Sequence, residues 1–402
     1  MRIGIDLCDL SPGYGGGTAT FAFGLISGLA ALNRGEDSFV LLVTDRNEEF
    51  LRKAFRDSDV VLLNVRMGLG GRAMNAMLGL SAWLTGNFKL RFWYDRLVRR
   101  ALMRKIDEAM DVLIAPLSVL RFYGMRVPSL VCIHDIQQEY HPEHFTWRDR
   151  VSRWDRYRLS AWRAAAVQAS SQFIKNCLLE KFSFLDPKNI VFIPEGVDFG
   201  KFSADGCCEP PPVALSSGAF IFYPAQIWPH KNHLMLVDTL ARYRDETGQE
   251  ITCVLTGRDY GQWATVQERV DSCQLKHVHY LGLVPFPQLV WLYRNCSAVL
   301  ALGMHESSSL PVREGAVFGK ALICLDIPPN REAALDLRME LVDQTSPLDL
   351  VKALKALTNN RGDLIEWSRE NAKLVDRFDW KNIALEYRRV MQSIAQKRNQ
   401  TR

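Results

Sequence analysis

The sequence predicts an α/β protein of two domains, each built on a parallel β-sheet, and three observations carry that prediction. The chain has 402 residues, too many for one ordinary core and suited to two domains of roughly 150–200 residues each. Short apolar runs alternate with helix-length stretches, as repeated βαβ units require. The alternation breaks once, at a proline-rich segment, and then starts again. Composition agrees: 48% hydrophobic and 24% charged residues suit a folded globular chain and exclude collagen-like, disordered and disulfide-scaffold classes.

In the first half the expected strands are residues 2–5, 39–44, 60–65, 112–115, 130–134, 166–169 and 190–193. They are near-continuous apolar runs because a parallel strand is buried on both faces. Residues 204–218 contain Pro210-Pro211-Pro212 and Ser216-Ser217-Gly218, which break both helix and strand, so the interdomain linker is placed there. In the second half the strands are residues 220–223, 251–256, 278–281, 298–302, 322–325 and 340–342. From Trp380 onward, Ile383, Leu385, Tyr387, Val390, Met391 and Ile394 recur at helical spacing and predict a terminal helix. The expected domains are 1–203 and 219–379, with 380–402 as the C-terminal helix.

The opening Met1-Arg2-Ile3-Gly4-Ile5-Asp6 reads as a strand where a signal peptide needs a basic stretch and a longer apolar run. The clean apolar runs are strand-length and fall far short of the ~20 residues that span a bilayer. The nine cysteines are odd in number and lack C-x-x-C spacing. Cys132, Cys253 and Cys324 sit inside apolar strands, so the set reads as reduced core residues of a cytoplasmic protein. Cys207-Cys208 falls in the linker and is read as plain loop.

Ligands of doubly wound sheets bind at the carboxyl ends of strands, and four segments pass that test. Gly15-Gly16-Gly17-Thr18 opens a helix some residues after the first strand, where free N–H groups attract anions; a flexible turn is the alternative. His134 directly follows a strand, placed either to meet sugar hydroxyls and shuttle a proton or to be held by a neighbouring carboxylate. Lys231, after the first strand of the second half and before a helix, adds a point charge to a helix dipole, which suits a diphosphate; a solvated lysine is the plain alternative. The run from Met304 to Gly315 places Ser308 and Ser309 before a helix that starts near Leu310 and whose first position suits Pro311. In it Glu306 lies before the helix and Glu314 is expected in its first turn, where both reach a ligand seated on the helix start or Glu314 merely complements the dipole. His134, His141 and His144, and the pair His230 and His233, lack further ligands at regular spacing, so no metal is expected.

Taken together these segments resemble glycosyltransferase family 4, the retaining enzymes of the GT-B fold, over nearly the whole chain. Glu306-x7-Glu314, followed by Gly315 and Gly319-Lys320, looks like the family's E-x7-E signature. The runs from Ser170 to Lys175 and from Ile193 to Asp198, with Val254-Leu255-Thr256-Gly257 and Tyr280-Leu281-Gly282, match its strand ends. The resemblance implies two Rossmann-like domains facing a central cleft, acceptor on the first and donor on the second, with the C-terminal helix returning to the first domain. It implies a hexose donor, GDP-mannose in the first instance, and a glycan or lipid-linked acceptor in surface polysaccharide or glycolipid synthesis. Lys231 would hold the diphosphate with Gln226, Ser308, Ser309 and Leu310 around it, Glu314 the ribose, and Glu306 the sugar. His134 would lie beside the transferred sugar, and Gly15, Gly16, Gly17 and Thr18 would close over the phosphates. No cofactor is implied beyond the nucleotide sugar.

Three departures stand out. Gln226 occupies a position where many members carry arginine, Ser307-Ser308-Ser309 replaces a glycine-rich stretch, and Arg313 adds a charge beside the site. Asp57-Ser58-Asp59 has the form of a metal-binding motif but precedes a first-half strand, away from the donor segments, and is read as a turn. The formal charge is +5, gathered partly in Lys89, Arg91, Arg96, Arg99, Arg100, Arg104 and Lys105 among Phe88, Phe92, Trp93 and Tyr94. That mixture suits an anionic membrane surface, and no nucleic-acid motif accompanies it. Arg148, Arg150, Arg153, Arg156, Arg158 and Arg163, interrupted by Asp149 and Asp155, read as an ion-paired helix. A nucleotide-sugar epimerase or phosphorylase and a non-catalytic nucleotide-sugar sensor are the rival readings.

Overall fold

The computed structural model describes residues 1–11, 16–33, 35–56, 59–65, 69–198, 202, 208–215, 220–343, 346–359 and 362–400. The chain divides into two compact units, Met1–Gly196 with Trp380–Arg402, and Val197–Asp379. The first unit runs β1 (Arg2–Asp6), α1 (Gly17–Leu32), β2 (Ser38–Val43), α2 (Glu48–Ala54), β3 (Val60–Asn64), α3 (Leu69–Thr85), α4 (Leu90–Leu97), α5 (Arg100–Ala109), β4 (Val112–Ala115), β5 (Ser129–Ile133), α6 (Trp147–Arg163), β6 (Ala166–Ala169), α7 (Gln172–Lys181) and β7 (Ile190–Phe192). The second runs β8 (Phe220–Pro224), α8 (His233–Thr247), β9 (Thr252–Thr256), α9 (Trp263–Ser272), β10 (Val278–Tyr280), α10 (Phe286–Asn295), β11 (Ala298–Ala301), α11 (Leu310–Val317), β12 (Ala321–Leu325), α12 (Pro328–Ala333), β13 (Glu340–Val342), α13 (Pro347–Thr358) and α14 (Gly362–Leu374). A last helix, α15 (Trp380–Gln400), belongs to the first unit.

Every strand expected from the sequence is present, with its ends moved by no more than one residue. The first sheet has the order β3-β2-β1-β4-β5-β6-β7 and the second β10-β9-β8-β11-β12-β13, and all the pairings are parallel. Alternate side chains of each strand go to opposite faces. In β2, Phe39, Leu41 and Val43 join α1 and α15, while Val40 and Leu42 join Met103 and Ile106 of α5. In the second unit Ile221 and Tyr223 pack with α8 and α13, and Phe220 and Phe222 with α10 and α11. Each sheet therefore lies between two apolar layers.

The passage from the first unit to the second falls at residues 196–197, earlier than the proline-rich segment suggests. Val197 donates its N–H to the Phe378 carbonyl, and Phe202 packs with Val290, so both already belong to the second unit. Residues 204–207 and 216–218 of the expected linker lie outside the described residues. Among the described residues no helix is long and apolar enough to cross a membrane.

The C-terminal helix reaches its place through glycine. Trp380, 4% exposed, lies so close to α1 that a Cβ on Gly24 would meet its indole, and one on Gly28 would stand 2.5 Å from its carbonyl oxygen. Nothing lies within 4 Å of a Cβ built on Gly17 of the same helix. We expect Gly28→Ala to destabilise the protein by about 1–3 kcal/mol through overpacking, and Gly17→Ala to be neutral within about 0.5 kcal/mol. Urea unfolding of the two variants side by side is the measurement; equal midpoints would refute the close contact.

Candidate functional site

Each sheet reverses its strand order once, between β1 and β4 and between β8 and β11. Doubly wound sheets bind ligands at the carboxyl strand ends beside such a reversal, and each unit gathers charges there.

In the second unit the chain leaves β8 and reaches Lys231 in a short 3-10 turn, Pro229–Lys231. Asn232 takes a left-handed conformation, φ 59°, which asparagine tolerates better than most residues, and the turn passes directly into α8. The Tyr223 hydroxyl donates to the Lys231 carbonyl at 2.6 Å, and the Met304 N–H donates to the His230 carbonyl at 2.8 Å. These bonds tie the loop after β8 to the loop after β11. Across the junction Lys231 Nζ meets Glu306 Oε1 at 2.6 Å, with side chains 19% and 15% exposed. Gly303 makes the room: a Cβ there would lie 2.1 Å from Glu306 Oε1.

Glu314 corrects one expectation. α11 has no acidic residue in its first turn; Glu314 is one turn further in, because Leu310 rather than a later residue opens the helix. Tyr293 of α10 donates its hydroxyl to Glu314 Oε2. Burial pushes the Glu314 carboxyl up to about 7, opposed by the Tyr293 hydrogen bond. At neutral pH this half-buried acid is therefore poised between its two forms. Tyr293 was missed by sequence reading, since nothing in its helical context distinguishes it from core.

The surrounding residues divide. Ser309 is the buried N-cap of α11 and makes no side-chain cap bond, while Leu310 is its first residue. Arg313 donates to Ser308 Oγ and stacks over Phe378 at 5.1 Å. Gln226 is half-buried in the loop after β8. His233 is buried against Tyr223, neither ring nitrogen having a hydrogen-bond partner among the described residues. Burial first, then the Lys231 charge, pulls it down to about 4, so it is a neutral core residue beside the site.

In the first unit His134 follows β5. Its Nε2 lies 2.8 Å from the Pro116 carbonyl oxygen and its Nδ1 3.3 Å from Glu195 Oε1. Burial pulls the imidazole down, but the hydrogen bond and charge of Glu195, with the Pro116 carbonyl, carry the net shift upward. Both nitrogens thus face acceptors, as an imidazolium requires. Gly16 caps α1, and Gly17 and Thr18 open it; Gly15 lies outside the described residues, as do Asp57 and Ser58.

Beside the reversal at β1 and β4, Asp9 takes the guanidinium groups of both Arg121 and Arg156. Sequence reading gave Asp9 and Arg121 no role and took Arg156 only as part of an ion-paired helix, although Asp9 and Arg121 both follow strand ends. The arginines of α6 are ion-paired in part, and across elements rather than along the helix: Arg153 to Asp135, Arg156 to Asp9 and Arg158 to Glu139, with Asp155 taken by Arg91 of α4, while Arg163 donates to the Tyr123 and Met125 carbonyls. The basic aromatic stretch is likewise partly internal. Arg91 and Arg99 are committed to Asp155 and Asp95, Lys89 lies over Trp162, and Phe88 and Phe92 pack on that same ring. Among the described residues one set, His141, Glu143 and His144, brings one ligand atom from each side chain within 4.8 Å of the others, a spacing that could hold a metal ion. His134, which the spacing had grouped with them, is held elsewhere by Glu195.

The chain matches the family model described as Glycosyltransferase Family 4 over residues 15–201 and that described as Glycosyl transferases group 1 over residues 213–375. His134 falls in the first match, and Lys231, Glu306 and Glu314 in the second. Among solved structures it is similar to Anabaena HepE in complex with UDP and glucose, at 15% identity and TM-score 0.69 over 98% of this chain and 100% of that one. A glycosyltransferase from Rickettsia africae is similar at 15% identity and TM-score 0.66, with 98% of both chains covered. Sucrose-phosphate synthase from Thermosynechococcus elongatus is similar at 13% identity and TM-score 0.68, again with 98% of both covered. At these identities the likeness establishes the fold, two Rossmann-like domains of the GT-B type. No curated protein matches the chain.

The raised Glu314 carboxyl has a testable sign. A carboxyl whose folded value lies above its ordinary 4.5 contributes stability that is complete below that value and is lost as pH rises to about 7. We expect Glu314→Gln, which keeps an oxygen for Tyr293, to melt like the parent near pH ~4 and above it near pH ~8, by at most about 3 kcal/mol. Thermal unfolding at both pH values decides; a difference that does not widen with pH would show that the carboxyl is not held as described.

Proposed function

The chain belongs to glycosyltransferase family 4, and from that premise we propose that it moves a hexose from a nucleoside-diphosphate sugar to a glycan or lipid-linked acceptor, with retention at the anomeric carbon. The observation that carries this reading is the Lys231–Glu306 pair at the strand-order reversal of the second sheet, with the half-buried Glu314 on the helix that follows. The bond from the anomeric carbon to the diphosphate oxygen breaks, the acceptor oxygen takes its place on the same face, and the acceptor proton leaves with the nucleotide diphosphate.

Negative charge builds on the departing diphosphate. In our reading Lys231 and the N-terminus of α11 meet it, as a charge and a dipole already in place, and no metal ion takes that role. Lys231 exchanges Glu306 for the diphosphate, and the released Glu306 then lies by the sugar. Glu314 accepts from the ribose hydroxyls, and Ser308, Ser309 and Leu310 line the phosphate end. With Gln226 in place of a second cation, Lys231 carries more of the diphosphate charge. On the first unit His134 serves the transferred sugar with Glu195 as its positioning residue, Gly16, Gly17 and Thr18 close over the phosphates, and Asp9, Arg121 and Arg156 serve the acceptor. GDP-mannose is the donor expected from the sequence; a UDP-hexose is the second candidate, favoured by the fold's likeness to HepE, whose structure holds UDP and glucose. We place the enzyme in the cytoplasm, in peripheral contact with the inner face of an anionic membrane, in surface polysaccharide or glycolipid synthesis.

Transfer should persist in excess EDTA, since the neutralising charge is the protein's own; loss restored by Mg²⁺ or Mn²⁺ would overturn that assignment. Lys231→Ala should weaken nucleoside-diphosphate binding roughly ten- to hundredfold, because a charge-assisted phosphate contact contributes about 1.5–3 kcal/mol. Glu306→Gln, which frees the lysine, should bind nucleotide at least as tightly while kcat falls. Calorimetry with UDP and with GDP, paired with product mass spectrometry, separates the two effects. Unchanged binding in Lys231→Ala would remove Lys231 from the site.

A further inference from the structure

Helix α3 is unusual in carrying, beyond its first turn, a water-exposed face with no charged residue among the described side chains. From Ala73 to Phe88 the sequence contains no charged residue, yet Met74, Met77, Leu80, Trp83 and Leu84 are 40–69% exposed. The opposite side of the helix, with Gly79 and Ala82, is buried toward α4 and α6. A surface helix ordinarily turns polar residues to solvent, and an apolar area of this kind marks a contact with something else.

The neighbouring elements say what. α3 packs against α4, and α4 against α5. Trp93, Leu97 and Val98 extend the apolar exposure along α4 and its end, at 53%, 71% and 67%. Leu97 also lines a cavity of about 650 Å³ whose other walls include Arg96, Arg100, Arg104 and Arg126. Arg91 and Arg99 of the same stretch are turned inward onto carboxylates, so the basic residues divide cleanly into structural and surface sets. Among the described residues no side-chain ion pair joins a carboxylate to Arg96, Arg100, Arg104 or Arg126, although Asp107 and Glu108 also line the space.

We propose that the α3–α4–α5 surface docks on an anionic bilayer, α3 lying in the headgroup and acyl boundary and the arginine cavity taking lipid phosphate. The inference deepens the membrane contact of the proposed function by naming the surface and adding an apolar component to it. An apolar helix face beside clustered guanidinium groups matches the two layers of a bilayer surface, hydrocarbon edge and phosphate plane, in a way that an acidic soluble protein does not. α3, at 17 residues, is short of a span, so the contact is one of lying on the membrane.

The test is flotation of the full chain with vesicles of phosphatidylcholine alone and of phosphatidylcholine with phosphatidylglycerol, across a salt series. The parent should float with the anionic vesicles at low salt and poorly with the neutral ones. Replacing Arg96, Arg100 and Arg104 together by Ser should lower the partition about a hundredfold at low salt, near fivefold per guanidinium, and change little at high salt. Met77→Ser with Leu84→Ser should lower it at least about tenfold at every salt concentration, with an unchanged melting temperature because both side chains are already exposed. If the parent ignores anionic vesicles at low salt, or if the α3 double variant floats like the parent, the proposal fails. A dimer seen by sedimentation and abolished by the α3 double variant would assign the face to a second copy instead. UDP and GDP calorimetry on the same samples keeps the two readings apart: lost flotation with nucleotide binding intact sinks only the docking surface, and lost nucleotide binding with flotation intact sinks only the transferase assignment.

Discussion

Parallel strands can be joined only by crossovers that carry the chain back over the sheet, and those crossovers cover both faces. The two units obey this demand in the same way. Successive side chains of β2 go to different apolar layers, one made by α1 and α15 and the other by α5, α6 and α7. Once both faces are filled, the strand ends are where backbone and side chains remain open to a ligand. That is why Lys231, Glu306, His134, Asp9 and Arg121 all follow strands. The strand-order reversal then selects, among those ends, the place where two loops diverge and leave space.

The charges gathered there are held at some cost. A carboxyl desolvated as Glu314 is favours its neutral form, and the Tyr293 hydroxyl offsets only part of that. His134 takes the opposite route, since Glu195 and the Pro116 carbonyl outweigh burial. The neutral His233, packed beneath Lys231, shows the same field from the other side: burial and one ammonium group are enough to deny it a proton. A site arranged in this manner presents charge where a ligand will need it and withholds charge nearby. Such groups follow a function rather than a stability requirement, because a well-packed apolar residue would be more stable at most of these positions.

The same accounting explains why the two apolar helices of the first unit differ. α1 is apolar because α15 lies on it, with Gly24 and Gly28 allowing the approach of Trp380. α3 is apolar along a face that the chain itself leaves open. Composition alone makes the two helices alike; only the position of a neighbour tells a core helix from a contact surface.

The sequence by itself determined the strands, the two-sheet organisation and the residues at the strand ends. Those features are local: a run buried on both faces is apolar throughout, and a loop after it is read from its own residues. Lys231, Glu306 and Glu314 were legible for that reason. Tertiary structure alone decided which of them meet. Lys231 and Glu306 are far apart in the chain and touch because β8 and β11 are neighbours in the sheet. Glu195 on His134, Tyr293 on Glu314, and Arg121 with Arg156 on Asp9 are likewise pairings between distant segments, which no pattern in either segment records. For the basic stretch the two levels divide: Arg91 turns inward because α6 supplies the buried Asp155 to receive it, a pairing between distant segments, whereas Arg99 meets Asp95 four residues earlier in its own stretch.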